Sequence, residues 1–216
     1  TRAGGATRRT FRPRPKVPTR GRCPPAPPER AQRIAAADPG VVTFMMVCDE
    51  TGLVNAYSSR EQWLERLHDR IRRLMRQRRK GWRRRLRRVY RRIYEVVCDI
   101  HVRTARDLER RYTDLLLPAL PTQDMVRRTR PLARYTRRVM NDLAHGRFRR
   151  YIHGRMAVNP TFTVHECPED YTSSTCGLCG CSTAVFGRTF HCAFCRAVFD
   201  RDVNGARNIL LYHAVP

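Results

Sequence analysis

Two closely spaced pairs of cysteines constrain the fold of this chain more than any other feature. Two residues separate Cys176 from Cys179 and Cys192 from Cys195, and twelve residues lie between the pairs. A Cys-x2-Cys turn directs two thiolates at one point, and two such turns at this spacing are typical of a zinc ribbon with tetrahedral coordination. Four thiolates leave no open position for a substrate, so we predict one structural Zn²⁺ that stabilises this short segment.

The chain is strongly basic, which indicates a polyanionic partner. Among its 216 residues, 44 Lys and Arg oppose 19 Asp and Glu, giving a formal net charge of +25, and the only lysines are Lys16 and Lys80. Guanidinium groups suit bidentate contacts with phosphate better than ammonium groups do. Nucleic acid is therefore the expected partner. A membrane is not expected, because no apolar run approaches the roughly 20 residues that span a bilayer.

Composition divides the chain into four segments. Residues 1–30 are rich in arginine and proline, which predicts an extended basic linker, and residues 31–170 carry the strand and helix patterns of one α/β core. The cysteine pairs fall within 171–199, the predicted zinc ribbon, and residues 200–216 are predicted to form a helix that completes the core. Because the chain begins with Thr1 instead of methionine, we expect further sequence upstream.

The pattern within the core changes from strands to helices and back. Three apolar runs separated by turn residues predict an antiparallel meander at 34–38, 41–48 and 53–57. Two long helices within 59–112, a strand at 113–117, a helix over 132–143, a strand at 161–165 and a closing helix over 203–212 follow. Helical segments connect the antiparallel strands to the later strands, which extend the same sheet. This order predicts a mixed, ribonuclease-H-like α/β sheet with a long helical insertion and an inserted ribbon.

The two predicted helices within 59–112 have an apolar stripe and a basic outer face. Between Arg66 and Arg92, 15 of 27 residues are basic, and most lie off the stripe. Mutual repulsion at this density favours a bound phosphate backbone over a merely solvated helix face. Trp82 and Tyr90 can either stack on bases or pack in the core. The predicted phosphate-binding residues are Arg72, Arg73, Arg76, Arg79, Arg83, Arg84 and Arg87.

A few acidic residues occupy conspicuous positions in this basic chain. Asp38 ends the first predicted strand, and Asp202 stands at the predicted N-cap of the last helix. Each has an ordinary structural explanation, because Asp-Pro-Gly is a common turn and aspartate is a common N-cap. Carboxylates at such ends are also the ligands with which a protein holds two Mg²⁺ ions for phosphodiester hydrolysis.

Several motifs together resemble the nuclease half of TnpB and Fanzor proteins, which are transposon-encoded RNA-guided DNA endonucleases. They are the Asp-Pro-Gly turn at Asp38, the Tyr-Thr-Ser segment at Tyr171 before the first cysteine pair, and the sequence Asp-Arg-Asp-Val-Asn-Gly-Ala-Arg-Asn-Ile that starts at Asp200. The resemblance extends from about Arg33 to the C-terminus. It implies a RuvC nuclease of ribonuclease-H-like fold, interrupted by a zinc ribbon, that cleaves DNA selected by a guide RNA.

The resemblance also implies a catalytic site that binds two Mg²⁺ or Mn²⁺ ions through three carboxylates. Asp38 matches the first catalytic aspartate of the family. Asp202 matches the last, with Asp200 as the less favoured alternative. The residues expected to bind these ions and to carry catalysis are Asp38, Glu169 and Asp202.

The middle carboxylate is missing from its usual TnpB position, because the strand after the long helices ends at Pro118 without a glutamate. Fanzor-like proteins have a glutamate just before the Tyr-Thr-Ser segment, and Glu169 stands there. We expect the strand before Glu169 to lie beside the first strand, which would bring the two acids together. Glu166 is the second choice for this role and Asp170 the third.

The expected partners are a guide RNA and a target DNA, with no membrane. Further contacts with nucleic acid are predicted at the motif residues Thr172, Ser173 and Arg207. Location in the nucleus is expected in a eukaryotic host, and in the cytoplasm or nucleoid otherwise. Two other functions stay open: a catalytically inactive, arginine-rich zinc-ribbon protein that binds nucleic acid, and a DNA-strand-transferring transposase.

Overall fold

The computed structural model describes residues 32–119, 134–168, 174–183 and 187–214. The strands in these ranges are β1 (Ile34–Pro39), β2 (Thr43–Asp49), β3 (Val54–Ser58), β4 (Asp114–Pro118), β5 (Thr163–Cys167), β6 (Thr189–His191) and β7 (Val198–Asp200). The helices are α1 (Glu61–Gln77), α2 (Trp82–Arg111), α3 (Arg134–Leu143), α4 (His145–Met156) and α5 (Arg201–Ala214). None of these helices is both long enough and apolar enough to cross a membrane.

Five of the strands form one mixed sheet in the order β3-β2-β1-β4-β5, and β6 pairs with β7 in a separate hairpin. The first three strands are antiparallel neighbours, as the meander predicts, whereas β4 joins β1 and β5 joins β4 in parallel. The carboxyl ends of β1, β4 and β5 therefore lie at one edge of the sheet. The prediction of a mixed α/β sheet is confirmed.

The expected position of the strand before Glu169 is wrong. This strand, β5, pairs with β4 and not with β1. Because β2 and β4 already occupy both edges of β1, no edge remains for β5, which lies two strand spacings away, roughly 10 Å. An acid that follows β5 must therefore span the width of β4 to reach Asp38.

The two faces of the sheet are covered differently. One face packs on the helical insertion and on α3 and α4, and its core includes Ala35, Phe44, Val97, Val139 and Phe148. The other face packs on α5, and its core includes Ala36, Met46, Leu116, Cys167 and Ile209. Since strand residues alternate between faces, Asp38 lies on the same face as Ala36, the one that α5 covers.

The long helices agree with the sequence prediction, but the segment after α3 does not. The prediction has a helix over 132–143 and then no element before the next strand, whereas α3 is followed directly by α4. Ala144, in the left-handed conformation with φ of 47°, ends α3 and reorients the chain. The α4 sequence was missed because it contains Gly146 and Gly154, which disfavour helix, and its stability comes from burial of Phe148 and Ile152.

Candidate functional site

The four cysteines predicted to bind zinc converge on one point. Their Sγ atoms all lie within 4.8 Å of one another, with 3.7 Å between Cys176 and Cys195 and 3.6 Å between Cys179 and Cys192. Zn–S bonds of about 2.3 Å in a tetrahedron require sulfur atoms about 3.8 Å apart, so the cluster fits the ion. Within the described ranges, no other group of three or more His, Cys, Asp or Glu side chains has this proximity.

Local backbone geometry forms the two cysteine turns. The N–H of Gly180 donates to the carbonyl of Cys176, and the N–H of Arg196 donates to the carbonyl of Cys192. Gly180 and Arg196 both have positive φ, which closes each turn after its second cysteine. The N–H of Cys195 donates to the sulfur of Cys192 and so lowers the pKa of that thiol. Such a donor favours the thiolate, the form that binds a metal.

Two asparagines of α5 fix the first cysteine turn to the sheet domain. The Oδ1 of Asn204 accepts the N–H of Gly177 at 2.9 Å, and the amide groups of Asn204 and Asn208 both donate to the carbonyl of Thr175 at 2.7 Å. A Cβ atom on Gly177 would lie 2.9 Å from Asn208 Oδ1, so a larger residue there would displace the asparagine side chains. We call Asn204 and Asn208 the asparagine clamp.

The asparagine clamp was not predicted from the sequence, because both asparagines were noted only as part of the family motif. A physical signal exists, because Asn204 and Asn208 are spaced i, i+4 and lie on the face of α5 that also carries buried apolar residues. A polar pair on a buried helix face requires hydrogen-bond partners. Here the ribbon backbone provides them.

Asp38 lies at the carboxyl end of β1, half-buried, with its carboxylate against Gly205 of α5. A methyl group added to Gly205 would overlap Asp38 Oδ2 and lie 3.3 Å from Cγ. Gly205 follows Asp202 by three residues, one helical turn, so the two positions share a helix face. The structure thus brings the Asp38 carboxylate beside the turn of α5 that carries Asp202.

Asp202 is not the N-cap of α5, contrary to the sequence prediction. The Oδ1 of Asp200 accepts the N–H groups of Asp202 and Val203, at 2.9 and 3.3 Å, which makes Asp200 the cap. The helix begins at Arg201, so Asp202 stands in its first turn, with its Oδ2 4.0 Å from the guanidinium of Arg188. Capping therefore explains Asp200 and leaves Asp202 without that structural role.

Two of the three candidates for the third carboxylate lie outside the described residues. Glu169, Asp170, Thr172 and Ser173 all lie outside the described residues. Glu166 is described, and its Oε1 lies 3.1 Å from His153 and 3.5 Å from Arg149. Both partners belong to α4, which covers the face of the sheet opposite to α5. Glu166 is therefore on the wrong face to share an ion with Asp38.

The predicted phosphate-binding arginines of α1, α2 and the turn between them are all exposed. Trp82 is partly covered by cations, because the guanidinium groups of Arg78 and Arg83 lie 5.8 and 5.6 Å from its ring centre. Tyr90 is half exposed and does not belong to the core. Arg207 is exposed on α5 beside the first cysteine turn, and its Cδ would lie 3.3 Å from a Cβ atom added to Gly177.

Comparison with known proteins assigns the two halves of the chain. The model of the OrfB-IS605 family, described as a probable transposase, matches residues 16–129, and the model described as Cas12f1-like, TNB domain, matches residues 145–209. A cryo-EM structure of a Cas12f1-sgRNA-target DNA complex is similar over 82% of this chain and 49% of that one, with 17% identity and a TM-score of 0.48.

Two curated viral proteins are also similar to the chain. A putative transposase of Paramecium bursaria Chlorella virus 1 is 38% identical over 113 residues, which cover 51% of this chain and 25% of the relative. A putative transposase of Acanthamoeba polyphaga mimivirus is 28% identical over 186 residues, or 80% of this chain and 38% of the relative. The chain spans less than half the length of either relative. Since the OrfB-IS605 model matches more than half of its residues, the chain belongs to the TnpB/Fanzor-like family of probable transposases.

Proposed function

We propose that this chain is the catalytic half of an RNA-guided DNA endonuclease that hydrolyses phosphodiester bonds with divalent metal ions. The observation that carries the proposal is the approach of the Asp38 carboxylate to Gly205, one turn from Asp202. Asp38 at the carboxyl end of β1 thus lies against the helix turn that carries Asp202, although the two acids are far apart in the sequence.

The proposed fold is ribonuclease-H-like, of the RuvC type. The strand order β3-β2-β1-β4-β5, with three antiparallel strands followed by two parallel ones, supports this assignment. So does the placement of helices on both faces of the sheet, with Asp38 on the face that the last helix covers. The ribbon enters between β5 and α5 and is held to α5 by the asparagine clamp.

The residues proposed to hold the metal ions are Asp38, Glu169 and Asp202. Carboxylate oxygens are the ligands that Mg²⁺ and Mn²⁺ prefer, so the chemistry of this donor set fits them. Two such ions, when bound, activate a water and stabilise the leaving oxygen of a phosphodiester. The chain itself supplies a fixed position for Asp38, and an Asp200 cap that holds the first turn of α5 and with it Asp202.

Guide RNA and target DNA are the proposed partners. Membership of the family supports them, as does the row of exposed arginines on α1 and α2. Arginines on a rigid helix contact the phosphate backbone, whereas base pairing with the guide would select the sequence. One Zn²⁺, bound by the four cysteines, is proposed to stabilise the ribbon.

One observation favours a second function, an inactive nucleic-acid-binding protein. The strand β4 ends at Pro118, where TnpB proteins usually have a glutamate. A site with only two carboxylates would hold divalent ions weakly.

A cleavage assay separates the two functions. The chain is incubated with labelled single-stranded DNA in Mg²⁺ or Mn²⁺, alongside Asp38→Ala and, as an acidic control, Glu95→Ala on the exposed face of α2. The nuclease proposal expects cleavage by the parent chain and the control, none by Asp38→Ala, and equal DNA binding by all three. Cleavage that persists in Asp38→Ala would contradict the proposed role of this residue, and equal binding without cleavage by any of them would favour the inactive protein.

A further inference from the structure

We propose that a groove between α1 and α3 binds one unpaired nucleotide of a single-stranded nucleic acid, with its base on Tyr90. The groove has a volume of about 440 Å³, within the usual range of ligand pockets. Residues of three helices line it: α1 and α3 form the walls, and Tyr90 comes from α2. The proposal concerns binding alone and does not depend on the metal site.

The groove exposes two side chains suited to stacking. Tyr90 is 50% exposed, and Met75 is also exposed, although both line the same cavity. An aromatic ring and a polarisable thioether that face one groove are the side chains expected for contact with the flat face of a base. Stacking on an aromatic ring tolerates any base, so this contact would not read sequence.

Cations surround the stacking residues. Arg72 of α1 and Arg137 and Arg138 of α3 line the same groove. Arg72 already pairs with Asp69, but a guanidinium has five N–H donors, and one carboxylate does not saturate them. The groove thus combines a phosphate-binding rim with an apolar surface. An acidic peptide would contact the arginines of the rim but has no base to place on the apolar surface.

The path of a bound strand continues along α1. Arg72 also borders a neighbouring depression that Asp69, Arg73 and Arg76 complete. A phosphate backbone that leaves the groove at Arg72 would therefore meet two further arginines spaced along the same helix. This continuity argues for a strand of several nucleotides instead of a free mononucleotide.

A buried pair holds the two walls together. His68 of α1 is buried, and its Nε2 lies within hydrogen-bonding distance of Asp142 on α3. Because this contact joins the walls at the base of the groove, it limits the width of the opening. Asn141, next to Asp142, also lines the groove and offers an amide that can donate to and accept from a base edge.

Anisotropy with fluorescein-labelled strands of twelve nucleotides tests the proposal, with the full zinc-bound chain in buffer without added Mg²⁺ or Mn²⁺ so that cleavage cannot interfere. One strand is oligothymidylate, a second is oligouridylate, and a third carries abasic sugars and so keeps the phosphates without bases. Tyr90→Ala is expected to weaken binding of oligothymidylate or oligouridylate about tenfold while binding the abasic strand as the parent does. The strand with the larger loss identifies DNA or RNA as the natural occupant.

Two variants complete the test. Tyr94→Ala is the matched control, because Tyr94 lies one turn further along α2, is 57% exposed and contacts Arg147 outside the groove. It should bind every strand as the parent does. Arg72→Gln should weaken binding of all three strands, including the abasic one. Equal affinities of the parent and Tyr90→Ala for both strands with bases, or an equal loss in Tyr94→Ala, would overturn the proposal.

Discussion

The carboxylate of Asp200 accepts a hydrogen bond from the backbone N–H of Asp202, at 2.9 Å, and so caps α5, in whose first turn Asp202 stands. Two aspartates separated by one residue therefore have different roles. Asp200 satisfies N–H groups of the first turn, whereas Asp202 does not cap the helix and is the one that we propose as a metal ligand. The distinction follows from backbone geometry, and the sequence by itself leaves the two acids open.

Asp200→Ala is predicted to lose stability and keep cleavage, whereas Asp202→Ala is predicted to keep stability and lose cleavage. Loss of the cap should lower the free energy of unfolding by about 1 kcal/mol and leave cleavage measurable. Asp202→Ala should change the stability little and abolish cleavage. Thermal unfolding and the cleavage assay, applied to both variants, check this. Loss of cleavage in Asp200→Ala alone would reverse the assignment.

The asparagine clamp is predicted to hold the ribbon in place. Asn204→Ala removes the partner of the Gly177 N–H in a buried position, so the free energy of unfolding should fall by about 1–3 kcal/mol. Hydrogen exchange at the Gly177 amide should become faster. Leu211→Ala is the control, because Leu211 is exposed on the same helix. Unchanged exchange at Gly177 in Asn204→Ala would show that the clamp contributes nothing.

Zinc is predicted at one ion per chain. Cys179→Ser removes one of the four clustered thiolates, so the zinc content should fall well below that of the parent. Cys181→Ser is the matched control, because Cys181 lies outside the cluster, and it should retain the full content. Atomic absorption on the purified proteins measures the difference. A parent chain without zinc would contradict the assignment.

Acid is predicted to destabilise the chain through two buried histidines. Burial lowers the pKa of His101 and of His145 to about 4, against an ordinary value of 6.5. The unfolded chain therefore takes up these protons first as the pH falls. The contribution of the two neutral histidines to the free energy of unfolding is fully present above about pH 6.5. It is lost between about pH 6.5 and 4, by up to roughly 3 kcal/mol for each histidine.

Denaturant titrations at pH 7, 5.5 and 4.5 measure this loss. The Nε2 of His101 is bonded to the carbonyl of Leu143, and that of His145 to the carbonyl of Gly40, so both rings are held within the core. The variant His101→Gln should show a smaller pH dependence than the parent. The exposed His213 provides the control, and His213→Gln should follow the parent curve. A parent stability that does not change over this interval would rule out the proposed protonation.

Binding to nucleic acid is predicted to weaken steeply with salt. Each phosphate contact that a substitution removes should reduce the slope of log affinity against log salt by about 0.9 for duplex DNA. A variant with Arg83, Arg84 and Arg87 all changed to Gln should therefore have a shallower slope than the parent. Anisotropy at several salt concentrations measures both slopes. Identical slopes would exclude these three arginines from phosphate contact.

The elements that could be predicted from the sequence are those whose apolar side chains repeat with a clear helical or strand spacing. The apolar stripe of α2, from Val89 through Ile93 and Val97 to Ile100, has an unambiguous helical spacing, and the meander has clear turns. The short cysteine turns were predictable because metal binding fixes the spacing of their ligands.

Other features depend on contacts between distant parts of the chain. Strand order could not be read from the sequence, because a period-2 pattern does not say which edge a strand joins. The helix α4 was missed because its local propensity is weak and its burial against Phe44 is tertiary. Likewise, the roles of Asp200 and Asn204 are set by the backbone groups that they meet.

A calorimetric titration with Mn²⁺ tests the central claim, that Asp38 and Asp202 share a metal site, most directly. The parent chain and Asp200→Ala are predicted to bind the ion with similar heat and affinity, whereas Asp38→Ala and Asp202→Ala each lose this binding. Zinc is kept bound throughout, so that the ribbon does not contribute. Binding of Mn²⁺ by Asp38→Ala or by Asp202→Ala as strong as that of the parent would contradict the claim.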